Sequence, residues 1–498
     1  MEGLLLQTLL VPLAGAVLGF LARGRRGRLA GWIATGAMLW TTAVVARVGV
    51  AVYGGGAPRE SYLDIPPGIR LGLLADGLSY PTLAVVTLLC AALTCYSIRY
   101  VERRVSVLYG AEPEAVQARH YARFFYLLPL FPVGFAGTIL STNLVSLYFF
   151  LEVLTVALFF LMAGFGYRDR VRIAFISLAW GIVGALLFLA AALVVYAEIG
   201  SLEVDDLSRM AGNRLAGPTV ALFLVGLLMK LAVVPLHVWM PSVHAEHPTC
   251  IAGLLAVYAN LALYVVVRVL VLPLGGDFAA FGTPLMALAL VTMVYGSLLT
   301  LAQTDIKRLA ACSTISQVAY SVLGVGALTA AGVEGGLFFF LSHIMGKTVF
   351  FSTAGIVVYA TRIRDMRELG GLARRMPVTA VLWLIGCMML SGFPPFSSFA
   401  AEWLLFTGVF ERGLAEGPGV VAIAIGGTTA VLLTVAYTFG AARRIFFGPL
   451  PAHLADRELT DPPWTMTVPL GVVAAASAVL GLYPAAVLDL LHSVLAAI

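Results

Sequence analysis

Residues 143–166 read NLVSLYFFLEVLTVALFFLMAGFG, an apolar run interrupted by a single charge, Glu152. About 20 such residues in a helix cross the hydrocarbon core of a bilayer. The run therefore predicts a membrane-spanning helix with a carboxylate inside it. Glu152 follows Asn143 by nine residues, which at 1.5 Å per residue puts it roughly 14 Å along the helix, near mid-membrane. A charge facing lipid there costs roughly 2.5–3.5 kcal/mol on insertion scales, so Glu152 is expected to face protein or water.

Runs of this kind recur from end to end. The 498 residues are 60% hydrophobic and 11% charged, with a mean hydropathy of +0.96. Soluble domains carry roughly 25% charged residues. The composition predicts one all-α polytopic membrane domain and no separate soluble one. Fourteen spans are expected, near 3–22, 29–53, 73–98, 124–141, 143–166, 171–197, 218–241, 248–273, 282–302, 309–331, 334–360, 378–410, 419–445 and 466–490. Residues 3–22 are too long for a signal-peptide core and run straight into Arg23 to Arg28, so the first helix is expected to be retained.

Loops after odd-numbered spans hold 22 of the 31 basic residues. By the positive-inside rule both termini are expected outside. The loop at 198–217, with Glu198, Glu203, Asp205 and Asp206, reads as a solvated acidic turn on the outer face. Only three of the basic residues are lysines: Lys230, Lys307 and Lys347. Lys230 and Lys347 stand inside apolar segments. Arginine cannot lose its proton there, whereas a desolvated lysine can. Lys307, with Asp305, reads as a structural pair near a loop.

Two spans carry prolines at unusual places. Pro235 follows Lys230 by five residues, and Pro394 and Pro395 precede Glu402 in a span, 378–410, too long for one straight crossing. A mid-helix proline lacks an N–H and clashes with the carbonyl four residues back. Pro235 should free the carbonyl of Leu231, and the pair at 394–395 those of Leu390 and Ser391. Unpaired backbone at this depth is tolerated only beside protein or a hydrated cavity. Broken spans at matching positions point to inverted repeats. Helices four to eight (124–273) and nine to thirteen (282–445) would be the repeats, preceded by a three-helix segment (1–123) and followed by helix fourteen (446–498).

Lys230 lies twelve residues into its span, also at mid-depth, and the economical resolution is that it and Glu152 face each other or water. Desolvation and a nearby opposite charge push such groups in opposite directions, so the pair can switch charge when a neighbouring proton moves. A static ion pair is the bland alternative. His343 and Lys347, four apart, share a helical face and both titrate, which suits a relay; a packing pair is again the alternative. Glu402, two turns beyond Pro395, would end a path that Glu152 begins. His237, His244 and His247 surround the end of span seven, but no thiol or carboxylate cluster joins them. They read as a gate or proton exit rather than a metal site. Asp76 opens span three, where a loop-capping role stands beside a functional one. Cys90, Cys95, Cys250, Cys312 and Cys387 are dispersed without a CxxC pair, which excludes an iron–sulfur or structural zinc reading. Neither a phosphate-binding GxxxxGK[ST] loop nor a dinucleotide-binding GxGxxG turn is present. No metal, resident cofactor or nucleic-acid partner is expected. The driving force must come from a partner or an ion gradient.

The segment LLMKLAVVPLHVWMPSVHAEHPT (227–249) resembles the KxAxxPLHxWLPxAHxxAPT signature of antiporter-like membrane subunits. TDIKRLAACSTISQVAY (304–320) is similar to that family's DLKRLLAYSSISQ, LSHIMGKTVFF (341–351) to its HxxxKxxLF, and SGFPPFSSFAAEW (391–403) to its GxPPxxGFxxK/E. The likeness runs in one order from about residue 70 to 450. Such subunits occur in respiratory complex I, Mrp cation/proton antiporters and membrane-bound hydrogenases of the prokaryotic cytoplasmic membrane. The resemblance implies fourteen helices, two inverted five-helix repeats, and broken helices seven and twelve. It implies proton-transfer roles for Glu152, Lys230, His343, Lys347 and Glu402. The glutamate at 402 points to the M-type subunit of complex I, with quinone, flavin and iron–sulfur centres on partner subunits. The family's helix-eight lysine is absent. Asn260 or Leu261 stands in its place depending on the anchor, so the central link is either Asn260 with water or weakened. Gly346 also replaces a bulkier residue. Alternatives are an Mrp or hydrogenase subunit, with Na+ as the exchanged ion, and a non-pumping scaffold.

Overall fold

The computed structural model describes residues 3–22, 28–66 and 68–496; Arg23, Arg25 and Arg26, counted above among the loop cations, lie outside them. The chain opens with α1 (Leu4–Leu21), α2 (Leu29–Tyr53), a hairpin of β1 (Arg59–Ile65) and β2 (Ile69–Leu74), and α3 (Ser79–Tyr109). It continues through α4 (Glu114–Leu127), α5 (Leu130–Leu140), α6 (Leu144–Phe165), α7 (Arg170–Ile199), α8 (Ala216–Leu231), α9 (Met240–Glu246) and α10 (Ala252–Val266). Then come α11 (Leu272–Leu301), α12 (Ile306–Ala327), α13 (Ala330–Thr361), α14 (Pro377–Leu390), α15 (Ser397–Glu416) and α16 (Pro418–Phe446). A short α17 (Ala452–Ala455), α18 (Trp464–Leu482) and α19 (Ala485–Leu495) finish it.

Among the described residues, 11 helices are long and apolar enough to cross a membrane, against fourteen expected spans. The difference has two causes. Spans seven and twelve are interrupted: α8 and α14 are separated from α9 and α15 by non-helical stretches. Spans eight and nine are instead joined, because Thr249–Leu301 is one helical run that passes through a π turn at Val267–Val271 and kinks at Leu274. The last span also stops earlier than expected, at Leu482, before Pro484.

The breaks fall upstream of the prolines. Ala232, in the left-handed region at φ 55°, ends α8 three residues before Pro235. The released carbonyl of Met229 accepts the Trp239 indole N–H at 3.0 Å, so a side chain replaces the lost helical donor. At the second break Gly392 takes φ 66°, and the Glu402 carboxylate approaches it so closely that a Cβ would collide. Glu402 therefore sits not on a helix shared with Pro395 but in the second turn of α15.

The two five-span stretches share a construction. Asn143 caps α6 by accepting Val145 N–H, and Asp305 caps α12 by accepting Lys307 and Arg308 N–H. Asn143 forms an isolated antiparallel bridge to Glu203 and Asp305 one to Asp365, each in the loop that precedes the broken helix pair. The hairpin was not expected from sequence: β1 is exposed and lacks alternation. It is tied down by polar contacts, since Glu60 accepts from Leu5 and Leu6 N–H and Arg59 pairs with Asp205 at 2.7 Å. The acidic loop is thus anchored rather than merely solvated; Glu203 also accepts from Asn143.

The core runs through α10, α12 and α13, whose apolar windows are wholly buried. Large apolar side chains such as Trp40, Trp403 and Leu432 are exposed on peripheral helices, as a lipid-facing surface requires. Gly346 has a packing reason: a side chain there would press on Leu390 and Met389, so its absence lets α14 close on α13. All five cysteines are free thiols.

Candidate functional site

Five elements carry the expected residues: Glu152 on α6, Lys230 on α8, Asn260 on α10, His343 with Lys347 on α13, and Glu402 on α15; α8 packs on α10, α10 on α13 and α13 on α15, while α7 stands between α6 and α8. Lys230 is 3% exposed and occupies the last turn of α8. It is the charge that acts on Glu152. The two are not in ion-pair contact within 4.0 Å; instead Lys230 Nζ donates to Tyr258 Oη at 3.4 Å and lies 5.1 Å from that ring's centroid. Tyr258 Oη in turn meets Thr155 Oγ1, one turn beyond Glu152, at 3.2 Å. A cavity of about 10 Å³ sits among Ser177, Trp180, Lys230, Trp239 and Tyr258. That holds about one water. Glu152 Oε1 and Trp180 Nε1, both buried, have no protein partner.

From Tyr258 the polar line crosses Trp239 to His244, with ring centroids 6.5 and 5.9 Å apart. His244 and His247 stack at 5.8 Å, fully buried, and no protein group bonds any of their four ring nitrogens. His237 does not join them: its ring packs against Tyr295 of α11 at 5.0 Å. Among the described residues no group of three or more His, Cys, Asp and Glu side chains is placed to hold a metal ion.

Asn260, not Leu261, is the residue aimed at His343. Its Oδ1 lies 3.1 Å from His343 Nδ1, while its Nδ2 donates to Ala256 O at 2.7 Å. Lys347 acts electrostatically on both His343 and His244. Its ammonium is fully buried, donates to Ala310 O at 3.0 Å and to the Ser313 hydroxyl, and meets no carboxylate.

Beyond Lys347 the structure adds residues that sequence reasoning missed. Gln317 Nε2 donates to Thr434 Oγ1 and Tyr437 Oη at 3.1 and 3.2 Å, and Tyr320 Oη meets Thr434 Oγ1 at 3.1 Å. Ser297 and Ser316 hydroxyls lie 2.8 Å apart beside them. Glu402 acts electrostatically on Tyr320 and Tyr437, so the last carboxylate is a neighbour of this neutral cluster. Its signal was present as TISQVAY, but neutral polar groups inside a span carry little hydropathic penalty. Glu402 itself is 9% exposed, with Oε1 unpaired, at the wall of an open cleft of about 830 Å³ between α15 and α16.

Lys307 corrects an expectation. It is fully buried, donates to His247 O at 2.7 Å and lies 3.8 Å from the Tyr167 ring centroid. Asp305 pairs with Arg364 at 2.8 Å instead. Arg364 also holds Glu246 at 3.0 Å. Burial works against the Glu246 charge, yet the hydrogen bonds from Arg364 keep its carboxyl below the ordinary carboxylate value. Asp76 caps α3 as expected and in addition grips Arg268 through two bonds of 2.6 and 2.7 Å.

The sequence model described as "NADH:quinone oxidoreductase/Mrp antiporter, TM" matches residues 141–432, which contain all of these side chains except Asp76, Thr434 and Tyr437. The chain belongs to that family. This antiporter-like chain is 30% identical, over 71% of its length and 74% of the relative's, to NADH-ubiquinone oxidoreductase chain 4 of Mycosarcoma maydis. It is 27% identical over 99% of its length and 95% of the relative's to NADH-quinone oxidoreductase subunit M of Rhodobacter capsulatus. It is 32% identical to the putative antiporter subunit mnhD2 of Staphylococcus aureus, over 58% of its length and 59% of the relative's. Its fold is that of a chain in respiratory complex I from Thermus thermophilus, with a TM-score of 0.85 at 21% identity, covering 99% of both chains. A chain of the Mrp complex from Dietzia gives a TM-score of 0.86 at 21% identity, covering 100% of this chain and 97% of that one.

Proposed function

We propose that this antiporter-like chain translocates protons as a membrane subunit of a complex I-like assembly. Redox partner subunits, bearing the quinone, flavin and iron–sulfur centres, supply the drive; this chain supplies the path. The reading rests on one observation: titratable side chains on α8, α13 and α15 are buried, Glu152 on α6 is half-buried, and polar atoms of Glu152, His343 and Glu402 have no protein partner. Buried polar groups are almost always hydrogen-bonded, so such a line calls for bridging water. Protons would enter the Glu152–Lys230 pair, pass by Tyr258, His244 and Asn260 to His343 and Lys347, and leave through the Gln317–Tyr437 cluster to Glu402. His237, apart from the line, remains a gate residue at the first break. Lys347, an ammonium among neutral acceptors, is the group best suited to give up its proton when the charge beside it changes. The assembly sits in a prokaryotic cytoplasmic membrane with the arginine-rich loops inside and both termini outside.

The likeness to mnhD2 supports a second reading, a cation/proton antiporter subunit of an Mrp-type complex in which Na+ is exchanged. Identification of the subunits that co-purify with the chain separates the two. In vesicles containing the intact assembly, Glu152→Gln is expected to abolish most coupled proton pumping. Pumping at the wild-type rate would leave only a scaffold role.

A further inference from the structure

The ends of α3 and α13 and the α6–α7 loop bring five guanidinium groups around one open pocket of about 400 Å³: Arg103, Arg104, Arg168, Arg362 and Arg364. Arg364 is balanced by Glu246 and Asp305. The other four have no carboxylate partner among the described residues. Two neighbouring acids are already engaged, Glu102 with Arg28 and Arg99, and Asp365 with Arg367, which leaves Asp169, next to Arg168 in the chain, against four guanidinium groups. Arginine cannot relieve this repulsion by losing protons, so the pocket carries a standing excess of positive charge.

Two of these four are also held in place. Arg104 donates to Phe165 O at 3.0 Å and to Gly166 O, with its guanidinium 4.0 Å from the Tyr167 ring centroid. Arg103 lies 4.3 Å from the Tyr359 ring centroid. Held against the Tyr359 face and bonded to no protein acceptor among the described residues, the Arg103 guanidinium keeps its N–H fork free, the geometry that phosphate oxygens take in pairs, whereas Arg104 spends Nε and one Nη on the two carbonyls. The apolar edge of the pocket, with Val107 60% exposed, suits an acyl chain beside a charged headgroup. All three segments lie at the arginine-rich ends of their spans, the side on which basic pockets between membrane helices bind phosphorylated headgroups.

We propose that this pocket binds a phosphate group, presented by an anionic phospholipid headgroup or as free phosphate. Tyr167 lines it, and that ring also lies 3.8 Å from the Lys307 ammonium, so an occupant's charge would be felt at the end of the buried histidine line. The proposal stands on the pocket alone and does not depend on proton pumping.

The test uses the full-length protein in detergent micelles, titrated with fluorescent phosphatidylglycerol and phosphatidylcholine, each with and without inorganic phosphate. Saturable phosphatidylglycerol binding at least tenfold tighter than phosphatidylcholine is expected. The triple variant Arg103→Gln, Arg168→Gln, Arg362→Gln should weaken it on the order of 100-fold. Displacement by inorganic phosphate would identify free phosphate as a ligand; resistance to it would identify the lipid. Equal binding of both lipids with no response to phosphate overturns the proposal, as does unchanged affinity in the folded triple variant. Should the triple variant aggregate, Arg103→Gln alone, which breaks no ion pair, should weaken binding roughly tenfold, and wild-type affinity there is equally fatal.

Discussion

Asn260→Leu tests the centre of the proposed path, where the family's lysine is missing. Leucine keeps the four side-chain heavy atoms and the branch at Cγ on a fully buried face of α10, so the shape is retained although the methyl groups are bulkier. What disappears is the 3.1 Å contact to His343 Nδ1. His343 Nε2 has no protein partner, so the ring would keep no protein hydrogen bond at all. Orphaning a buried polar group costs about 1–3 kcal/mol. If the proton step through His343 bears that cost, it slows roughly 5- to 150-fold, at tenfold per 1.4 kcal/mol. The assay is proton uptake by inside-out vesicles containing the assembly, normalised to electron transfer. His343→Ala and the double variant complete a cycle, and because the two side chains touch, their effects should not add. Wild-type pumping by Asn260→Leu alongside a crippled His343→Ala would refute the reasoning, since the relay would then bypass α10.

Further outcomes follow from the same geometry. Lys230→Arg should impair pumping nearly as much as Lys230→Ala, because a fixed charge cannot release its proton and the adjoining cavity of about 10 Å³ leaves no room for the larger fork; wild-type rates would contradict this. Tyr258→Phe removes the hydroxyl between Lys230 and Thr155 while keeping the ring, and a several-fold loss of pumping with unchanged thermal stability is expected. Glu246→Gln should destabilise the protein at neutral pH by about 3 kcal/mol by leaving Arg364 short of a partner. The Glu246 carboxyl is held below its unfolded value, so its contribution is complete above that value and fades as the pH falls through the folded one. Wild type and Glu246→Gln should therefore converge in thermal unfolding toward strongly acidic pH, and a constant gap would be inconsistent with the ion pair.

Hydropathy and proline placement are local quantities, and what depends on them was legible early. Glu152, Lys230, His343, Lys347 and Glu402 could be picked out because a charge inside an apolar run is costly wherever the run packs. The breaks near Pro235 and Pro394 could be placed within a few residues for the same reason, though the helices end earlier, at Leu231 and Leu390, where the chain turns before the proline is reached. Asp76 could be read as a cap because capping is decided within one turn, whereas its grip on Arg268 could not.

Partners 60 residues or more apart emerged from the tertiary structure alone. Packing α10 against α13 chose Asn260 over Leu261, a difference of about 100° around a helix that no motif anchor resolved. Lys307, one residue into α12 and next to acidic Asp305, looked like a loop cation; the α9–α10 turn folds over it and buries it completely. The Gln317, Tyr320, Thr434 and Tyr437 cluster was invisible because each hydroxyl or amide is unremarkable in its own helix and gains meaning only when α12 meets α16. The sequence by itself determined which charges must be hidden, since burial in lipid is paid for residue by residue. Which groups they meet there is a property of faces brought together, and only the fold could decide it.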